Sequence, residues 1–149
     1  LTYAANWDDY KVFPFWKKLD YIGIDAYFPL SAEETPSTIS IREGWSKYIV
    51  ELKRKSLENK HPILFTEYGY RNVDHNCAEP WKEDGGKQND EAQKNALEAF
   101  YQSFAGKKWF AGGFVWKWYV DEGHHRREDI DFTPQNKPAA KVIENWYRD

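Results

Sequence analysis

The chain has 149 residues, of which 41% are hydrophobic and 30% charged, and its formal net charge is −3. This composition predicts one folded domain, or part of one, and gives no indication of a nucleic-acid partner. No apolar run approaches the roughly 20 residues that a membrane span needs, and the single cysteine, Cys77, excludes an intrachain disulfide and a cysteine-based zinc site. Because the chain starts at Leu1 and contains no Met, we expect a piece of a longer translation product, whose compartment is left open.

Short strands alternate with helices along the chain. The apolar patterns predict strands at 1–7, 20–28, 62–69 and 110–119, and helices at 13–19, 41–59, 89–105 and 138–147. Pro14 suits the first turn of the first helix, and Asn89 or Asp90 caps the third. A long loop, 70–88, follows the third strand. This alternation predicts an α/β fold with a parallel sheet covered by helices.

Two architectures fit this order of elements. One is a small open sheet of four strands, and the other is half of a (β/α)8 barrel, whose usual size is about 250 residues. The absence of Met and a start within a strand favour the half barrel. The glycines of "DGG" at 84–86 and "GG" at 112–113 do not match the phosphate-binding motifs of nucleotide folds.

The segment "PILFTEYGYR" at 62–71 carries a carboxylate, Glu67, at the end of an otherwise apolar strand. Alternation predicts that Ile63, Phe65 and Glu67 share one face, which would line a barrel lumen, with Leu64 and Thr66 on the other. In a parallel sheet, functional groups gather at the carboxyl ends of the strands. Glu67 is therefore a candidate active-site group, with ordinary strand-end polarity as the alternative.

Aromatic side chains are abundant, with 8 Trp, 10 Tyr and 9 Phe. Several aromatic and polar residues fall at predicted strand ends or in loops: Asn6, Trp7, Asp25, Tyr27, Trp81, Trp116 and Trp118. Flat rings with polar edges suit the C–H faces and hydroxyl rims of sugars, although core packing also explains many of them. A carboxylate among such rings suits hydrolysis of a sugar acetal, and a tyrosine hydroxyl that donates to Glu67 would orient it as a nucleophile.

Three other features leave alternatives open. Trp81 is either a sugar platform or an anchor of the 70–88 loop, and Asp25 either contacts substrate or accepts a structural hydrogen bond. His124 and His125 lie in "DEGHHRRED" without a third ligand at suitable spacing, so we expect a solvated loop, no metal site and no cofactor.

Four segments together resemble a known family: "YIGIDAYFPL", "FTEYGYR", "FAGGFVWKWY" and "FTPQNKPAAKVIENWY". They resemble the last four βα units of clan A glycoside hydrolases, and most of all glycoside hydrolase family 113, whose characterised type is endo-β-1,4-mannanase. The resemblance covers nearly the whole chain. It implies that residues 1–149 form the C-terminal half of a TIM (β/α)8 barrel that hydrolyses β-1,4-linked glycans with retention.

The resemblance also implies roles for individual residues. Glu67 matches the nucleophile at the tip of the seventh strand, and Tyr27 matches the sixth-strand residue that hydrogen-bonds the nucleophile. Trp116 matches the tryptophan beneath the reacting sugar, with Trp118 as the alternative. The remaining candidates, Trp7, Asn6, Asp25 and Trp81, would contact substrate.

The chain departs from the family pattern in one large respect. The acid/base Glu of the family belongs to the fourth strand, and an Arg belongs early in the barrel; neither segment is present in these residues. Asp121 and Glu122 follow the last strand without evident geometry for the acid/base role. We therefore expect the fragment alone to be inactive, and the N-terminal half or a second copy of the chain to complete the barrel. A non-catalytic glycan-binding or scaffolding domain is the alternative function, and a small open α/β domain that binds another ligand is a third.

Overall fold

The computed structural model describes residues 1–120 and 129–148. Four strands form one parallel sheet in the order β1-β2-β3-β4: β1 is Ala4–Asn6, β2 Ile22–Asp25, β3 Ile63–Tyr68 and β4 Phe110–Val115. The helices are α1 (Thr38–Asn59), α2 (Asp90–Phe104) and α3 (Pro138–Tyr147), with a short 3-10 helix at Trp16–Lys18. Sequential order with parallel pairing means that every connection crosses the same face of the sheet. The predicted parallel α/β architecture is therefore confirmed.

The element boundaries differ from the predictions in instructive ways. Helix α1 begins at Thr38 rather than residue 41, because the Ser37 side chain accepts a hydrogen bond from the Ser40 amide and caps it. The predicted helix 13–19 is only a 3-10 turn at Trp16–Lys18. Phe13, which precedes this turn, packs its ring on that of Trp16 with the ring centroids 4.5 Å apart. Each strand is shorter than predicted.

The core lies between the sheet and the helices, and Phe65 of β3 is at its centre. The Phe65 ring is fully buried and lies 5.1 Å from Phe104 of α2, 5.0 Å from Phe110 of β4 and 6.1 Å from Trp45 of α1. Ile63, on the same face, is also fully buried. The face of β3 that carries these two residues therefore packs against helices.

The opposite face of the sheet is open to solvent. Ala4 and Asn6 are exposed on either side of the buried Ala5, and Phe114 of β4 exposes 65% of its surface. Phe114 lies on this face near the carboxyl end of the edge strand β4. Part of a barrel presents such a face toward the barrel interior.

A bulge in β3 interrupts the alternation of side chains that the sequence predicted for this strand. The register runs from Ile24 opposite Phe65 directly to Asp25 opposite Glu67, so Thr66 is an extra residue on β3. Thr66 bonds to Asp25 on the open face, and Glu67 follows on that side. The prediction that Ile63 and Phe65 share the lumen face with Glu67 is therefore wrong: those two face the helices, and the bulge turns Glu67 to the open face.

Candidate active site

The candidate site centres on a hydrogen bond between Tyr27 and Glu67. The Tyr27 hydroxyl, two residues beyond β2, donates to Glu67 Oε2 at 2.8 Å, and both side chains are half-buried. The Ala26 amide donates to the Glu67 carbonyl oxygen at 2.7 Å. This backbone bond continues the pairing of the two strands past the bulge and so fixes the two side chains relative to each other.

The surroundings of Tyr27 keep its hydroxyl protonated. Burial raises the pKa of Tyr27 well above its ordinary value, and the hydrogen bond to Glu67 raises it further. The negative charges of Glu67, Asp25 and Glu83 act in the same direction. Tyr27 therefore remains a hydrogen-bond donor to the carboxylate throughout the neutral range.

Asp25 is held by the bulge residue. The Thr66 hydroxyl donates to Asp25 Oδ1 at 2.7 Å. Together with the bond from Tyr27 to Glu67, it joins the end of β2 to the bulge of β3. Of the two roles left open for Asp25, the structure supplies the structural hydrogen bond, and a substrate contact stays a prediction.

Trp116 and Trp118 lie beyond the end of β4 rather than within it. The Trp116 amide donates to the Tyr68 carbonyl oxygen at 2.7 Å, and a Cβ added to Gly69 would overlap the Trp116 carbonyl oxygen. The peptide bond between Trp116 and Lys117 is cis. Trp116 exposes 37% of its surface and Trp118 50%, so both indoles are accessible beside the Glu67 strand.

Trp7 and Trp81 form a stacked pair at the β1 side of the sheet. Trp7 directly follows Asn6, the last residue of β1, and its ring lies 5.4 Å from Trp81 at an interplanar angle of 14°. The Arg71 guanidinium fixes the same loop by donating to the carbonyl oxygens of Asp84 and Gly85, both at 2.9 Å. One face of Trp81 thus anchors its loop, while the residue stays exposed.

The sequence analysis used the segment 131–137 only for the family resemblance and gave it no role at the site, yet it packs against Tyr27 and the end of the Trp116–Tyr119 segment. The Phe132 ring lies edge-on to Tyr27 at 6.1 Å, and the Gln135 side chain bonds the backbone of Tyr119. The motif "FTPQNKP" was a usable signal, since a buried polar cluster just before a helix has to find partners.

No group of three or more His, Cys, Asp or Glu within residues 1–120 and 129–148 could hold a metal ion. In that same part of the chain, no helix is long and apolar enough to cross a membrane. His124, His125, Asp121 and Glu122, which the sequence analysis considered, lie outside the described residues.

Solved structures similar to this chain are glycoside hydrolases. The GH113 β-mannanase AaManA from Alicyclobacillus acidocaldarius, in complex with ManMIm, is 23% identical with a TM-score of 0.80, and the match covers 97% of this chain and 44% of that chain. A GH113 β-1,4-mannanase complex gives 22% identity, a TM-score of 0.81 and coverages of 98% and 44%. A β-glucuronidase of Ruminococcus gnavus is 18% identical with a TM-score of 0.62, and the match covers 97% of this chain and 25% of that chain. These likenesses show the fold, which corresponds to part of a TIM barrel.

This chain therefore spans less than half the length of the mannanase structures that it matches. No curated protein matches it significantly. The family model of Glycoside Hydrolase Family 113 matches residues 1–137, most of the chain. The chain belongs to Glycoside Hydrolase Family 113.

Proposed function

We propose that residues 1–149 form the C-terminal half of the catalytic barrel of a retaining β-glycosidase that hydrolyses β-1,4-linked mannan or a related glycan. The observation that carries the proposal is the Tyr27–Glu67 hydrogen bond of 2.8 Å at the carboxyl edge of a parallel sheet. Membership of family 113 supports glycoside hydrolysis, and the mannanase neighbours support mannan as the first substrate to try.

Glu67 acts as the nucleophile in this proposal. One carboxylate oxygen forms a bond to the anomeric carbon while the glycosidic C–O bond breaks, and a second carboxyl group gives its proton to the departing oxygen. Water then attacks the anomeric carbon of the glycosyl-enzyme ester, the bond from that carbon to the Glu67 oxygen breaks and frees the carboxylate, and the second carboxylate takes up the water proton. The hydrogen bond from Tyr27 holds Oε2 and so fixes the plane of the attacking carboxylate.

The second carboxyl group has to lie about 5–5.5 Å from the nucleophile in a retaining enzyme. We assign it to the N-terminal half of the barrel, as the resemblance to the family implies. Asp25 does not suit the role, because its Oδ1 is engaged by the Thr66 hydroxyl at 2.7 Å and it lies on the strand next to Glu67 in the same register.

The exposed tryptophans supply the sugar contacts. Trp116 follows β4, next to the strand that carries Glu67, and is proposed as the floor beneath the reacting sugar, with Trp118 beside it. The Trp7–Trp81 pair, at the β1 side of the sheet, offers its open ring face to a sugar further along the glycan. Stacking of pyranose C–H faces on indoles supports these assignments.

The test assembles this chain with the N-terminal half of a family 113 barrel and measures reducing sugar released from mannan. Glu67→Gln should lower the rate by about 10⁴-fold or more, because it removes the nucleophile. The control is Glu58→Gln, on the exposed surface of α1 where Glu58 pairs with Arg54, and it should leave the rate unchanged.

A 2-deoxy-2-fluoro-mannoside should label Glu67 and no other residue, as read by peptide mass spectrometry. A label at a different residue, or near-normal turnover by Glu67→Gln, would contradict the assignment. An assembled protein that binds manno-oligosaccharides but never releases sugar would instead support the non-catalytic glycan-binding alternative.

A further inference from the structure

The four residues 116–119 carry both exposed indoles, yet they lie outside the regular sheet. Their first residue is tied to β3 through the bond from the Trp116 amide to the Tyr68 carbonyl oxygen, at 2.7 Å. A single backbone hydrogen bond at Trp116 fixes only the start of the segment. The path of residues 117–119, and with it the orientation of the two indoles, depends on a second hydrogen-bonded contact.

Gln135 supplies that second attachment. Its Oε1 accepts a hydrogen bond from the Tyr119 amide at 2.7 Å, and its Nε2 donates to the Tyr119 carbonyl oxygen at 3.0 Å. The side-chain amide thus bonds both backbone groups of one residue, as a neighbouring strand would. Gln135 is only 3% exposed. Water therefore competes little for these hydrogen bonds, which makes them stronger than they would be at the surface.

The chemistry of the two bonds calls for a side-chain amide, which Gln135 supplies. The Tyr119 amide can only donate and the Tyr119 carbonyl can only accept, so the residue opposite them needs one acceptor and one donor on the same group. The Tyr119 amide opposite Oε1 decides which end of the amide is oxygen, and the Thr133 hydroxyl also donates to that oxygen at 2.9 Å. A glutamate would keep the acceptor and place negative charge against the carbonyl oxygen of Tyr119.

The segment that carries Gln135 is itself rigidly held. The Lys137 side chain is fully buried, bonds Asn72 Oδ1 at 3.2 Å and forms an ion pair with Asp131. Gln93 of α2 donates to the carbonyl oxygens of Phe132 and Tyr70, at 3.2 Å and 2.9 Å. Residues 131–137 are therefore fixed to the segment that follows Glu67.

This rigid segment contacts the site at two places. Phe132 packs against the ring of Tyr27, the partner of Glu67, and Gln135 holds the residue that follows Trp118. We propose that Gln135 is a positioning residue of the sugar-binding site: its two bonds to Tyr119 set the orientation of Trp116 and Trp118 relative to Glu67. The inference rests on the proposed function, in which these two indoles contact the sugar.

The test compares Gln135→Glu, which keeps the size and loses the donor, with Gln135→Ala, which loses both bonds. Gln102→Ala is the control, because Gln102 is exposed on α2 and its side chain bonds Glu98. The ligand-free readout is the set of indole N–H signals in ¹H–¹⁵N spectra of the ¹⁵N-labelled 149-residue chain, assembled with the unlabelled N-terminal half and assigned with Trp116→Phe and Trp118→Phe.

Both Gln135 variants should shift the Trp116 and Trp118 signals and leave those of Trp45 and Trp109 in place, while Gln102→Ala should leave the Trp116 and Trp118 signals unchanged. Unchanged Trp116 and Trp118 signals in a folded Gln135 variant would overturn the proposal. If neither variant folds, amide hydrogen exchange in the unaltered chain decides: the Tyr119 amide should exchange at least about tenfold more slowly than that of the exposed Val120. Equal exchange would overturn the proposal.

The sugar readout is the affinity for manno-oligosaccharides, measured by titration calorimetry on the same proteins. Folded Gln135→Glu and Gln135→Ala should bind about tenfold more weakly, the effect of losing buried hydrogen bonds that fix a binding surface, and Gln102→Ala should bind normally. Shifted indole signals with unchanged affinity would overturn the positioning role alone. An unaltered assembled protein that binds no manno-oligosaccharide would overturn the proposed function and the sugar role with it, while the indole signals still judge whether Gln135 holds the segment.

Discussion

A hydrogen bond from a neutral donor to a carboxylate is among the stronger single contacts in a protein, and the Tyr27–Glu67 bond is of this kind. It is placed where two strand ends meet, so a change in either side chain acts on the other directly. The phenol also contributes through its ring, which packs on Phe132. These two contributions are separable, because phenylalanine keeps the ring and removes only the hydroxyl.

Tyr27→Phe should lower kcat/KM of the assembled enzyme on mannan by about 10–100-fold, the value of a hydrogen bond to a charged group. Folding should persist, since the ring volume is almost conserved. The matched control is Tyr48→Phe, whose hydroxyl donates to the Pro29 carbonyl oxygen at 3.2 Å, and steady-state kinetics should show no change for it. Equal kinetics for the two variants would remove Tyr27 from the mechanism.

Buried phenols also make the molecule sensitive to alkali. Burial raises the pKa of several tyrosines above the ordinary value of 10.0: Tyr10, Tyr27, Tyr68, Tyr70 and Tyr101, the last to about 12. A pKa that is higher in the folded state than in the unfolded state contributes stability that is complete below the unfolded pKa and is lost as pH rises above it. The free energy of unfolding in urea should therefore fall as pH rises from about 10 to about 12. A constant value across that window would contradict the burial of these hydroxyls.

At the scale of elements, hydrophobic periodicity predicted all four strands and the three α-helices. The predicted ends of α2 and α3 lie within about one residue of the observed ends. The helices were predictable because their signals are local: α2, for instance, begins after Asn89, whose side chain accepts a hydrogen bond from the Ala92 amide at 2.9 Å. The bulge at Thr66 was not predictable, because one extra residue in a strand leaves its composition unchanged while reversing the face on which every later residue of that strand lies. Gln135 escaped notice for a related reason, since its partner Tyr119 lies 16 residues away in the sequence.

The close contact between the end of β3 and the segment after β4 depends on a glycine. A Cβ at Gly69 would overlap the Trp116 carbonyl oxygen and contact Phe132 at 3.3 Å. Gly69→Ala should therefore displace Trp116, lower the affinity for manno-oligosaccharides and cost about 1–3 kcal/mol of stability, as overpacking does. Urea denaturation and titration calorimetry measure the two effects.

Gly106→Ala is the control for that substitution, because a Cβ there meets no atom within 4 Å, although its φ of +72° is strained for alanine. It should cost stability without changing sugar affinity. The same loss of affinity in both variants would show that Gly69 acts through general destabilisation rather than through Trp116.

At the scale of the whole molecule, the sheet formed by the described residues has two edge strands and one face that no helix covers. Strands β1 and β4 are its edges, and each edge presents unpaired backbone groups that favour pairing with another strand. The face that carries Glu67 also exposes Phe114. Unpaired edges and an exposed apolar side chain favour association with a partner, and in the proposed half barrel that partner is the N-terminal half.

The chain alone should therefore associate and should not hydrolyse mannan. Light scattering should report a dimer or larger species, because β4 of one copy can pair with β1 of another in the same parallel sense, and two copies related by a two-fold axis close eight strands. Reducing-sugar assays should show no release, since the proposed acid/base group belongs to the other half. Addition of the N-terminal half should produce a 1:1 complex and restore hydrolysis. A monodisperse monomer that hydrolyses mannan unaided would defeat both the half-barrel proposal and the division of the two carboxyl groups between the halves.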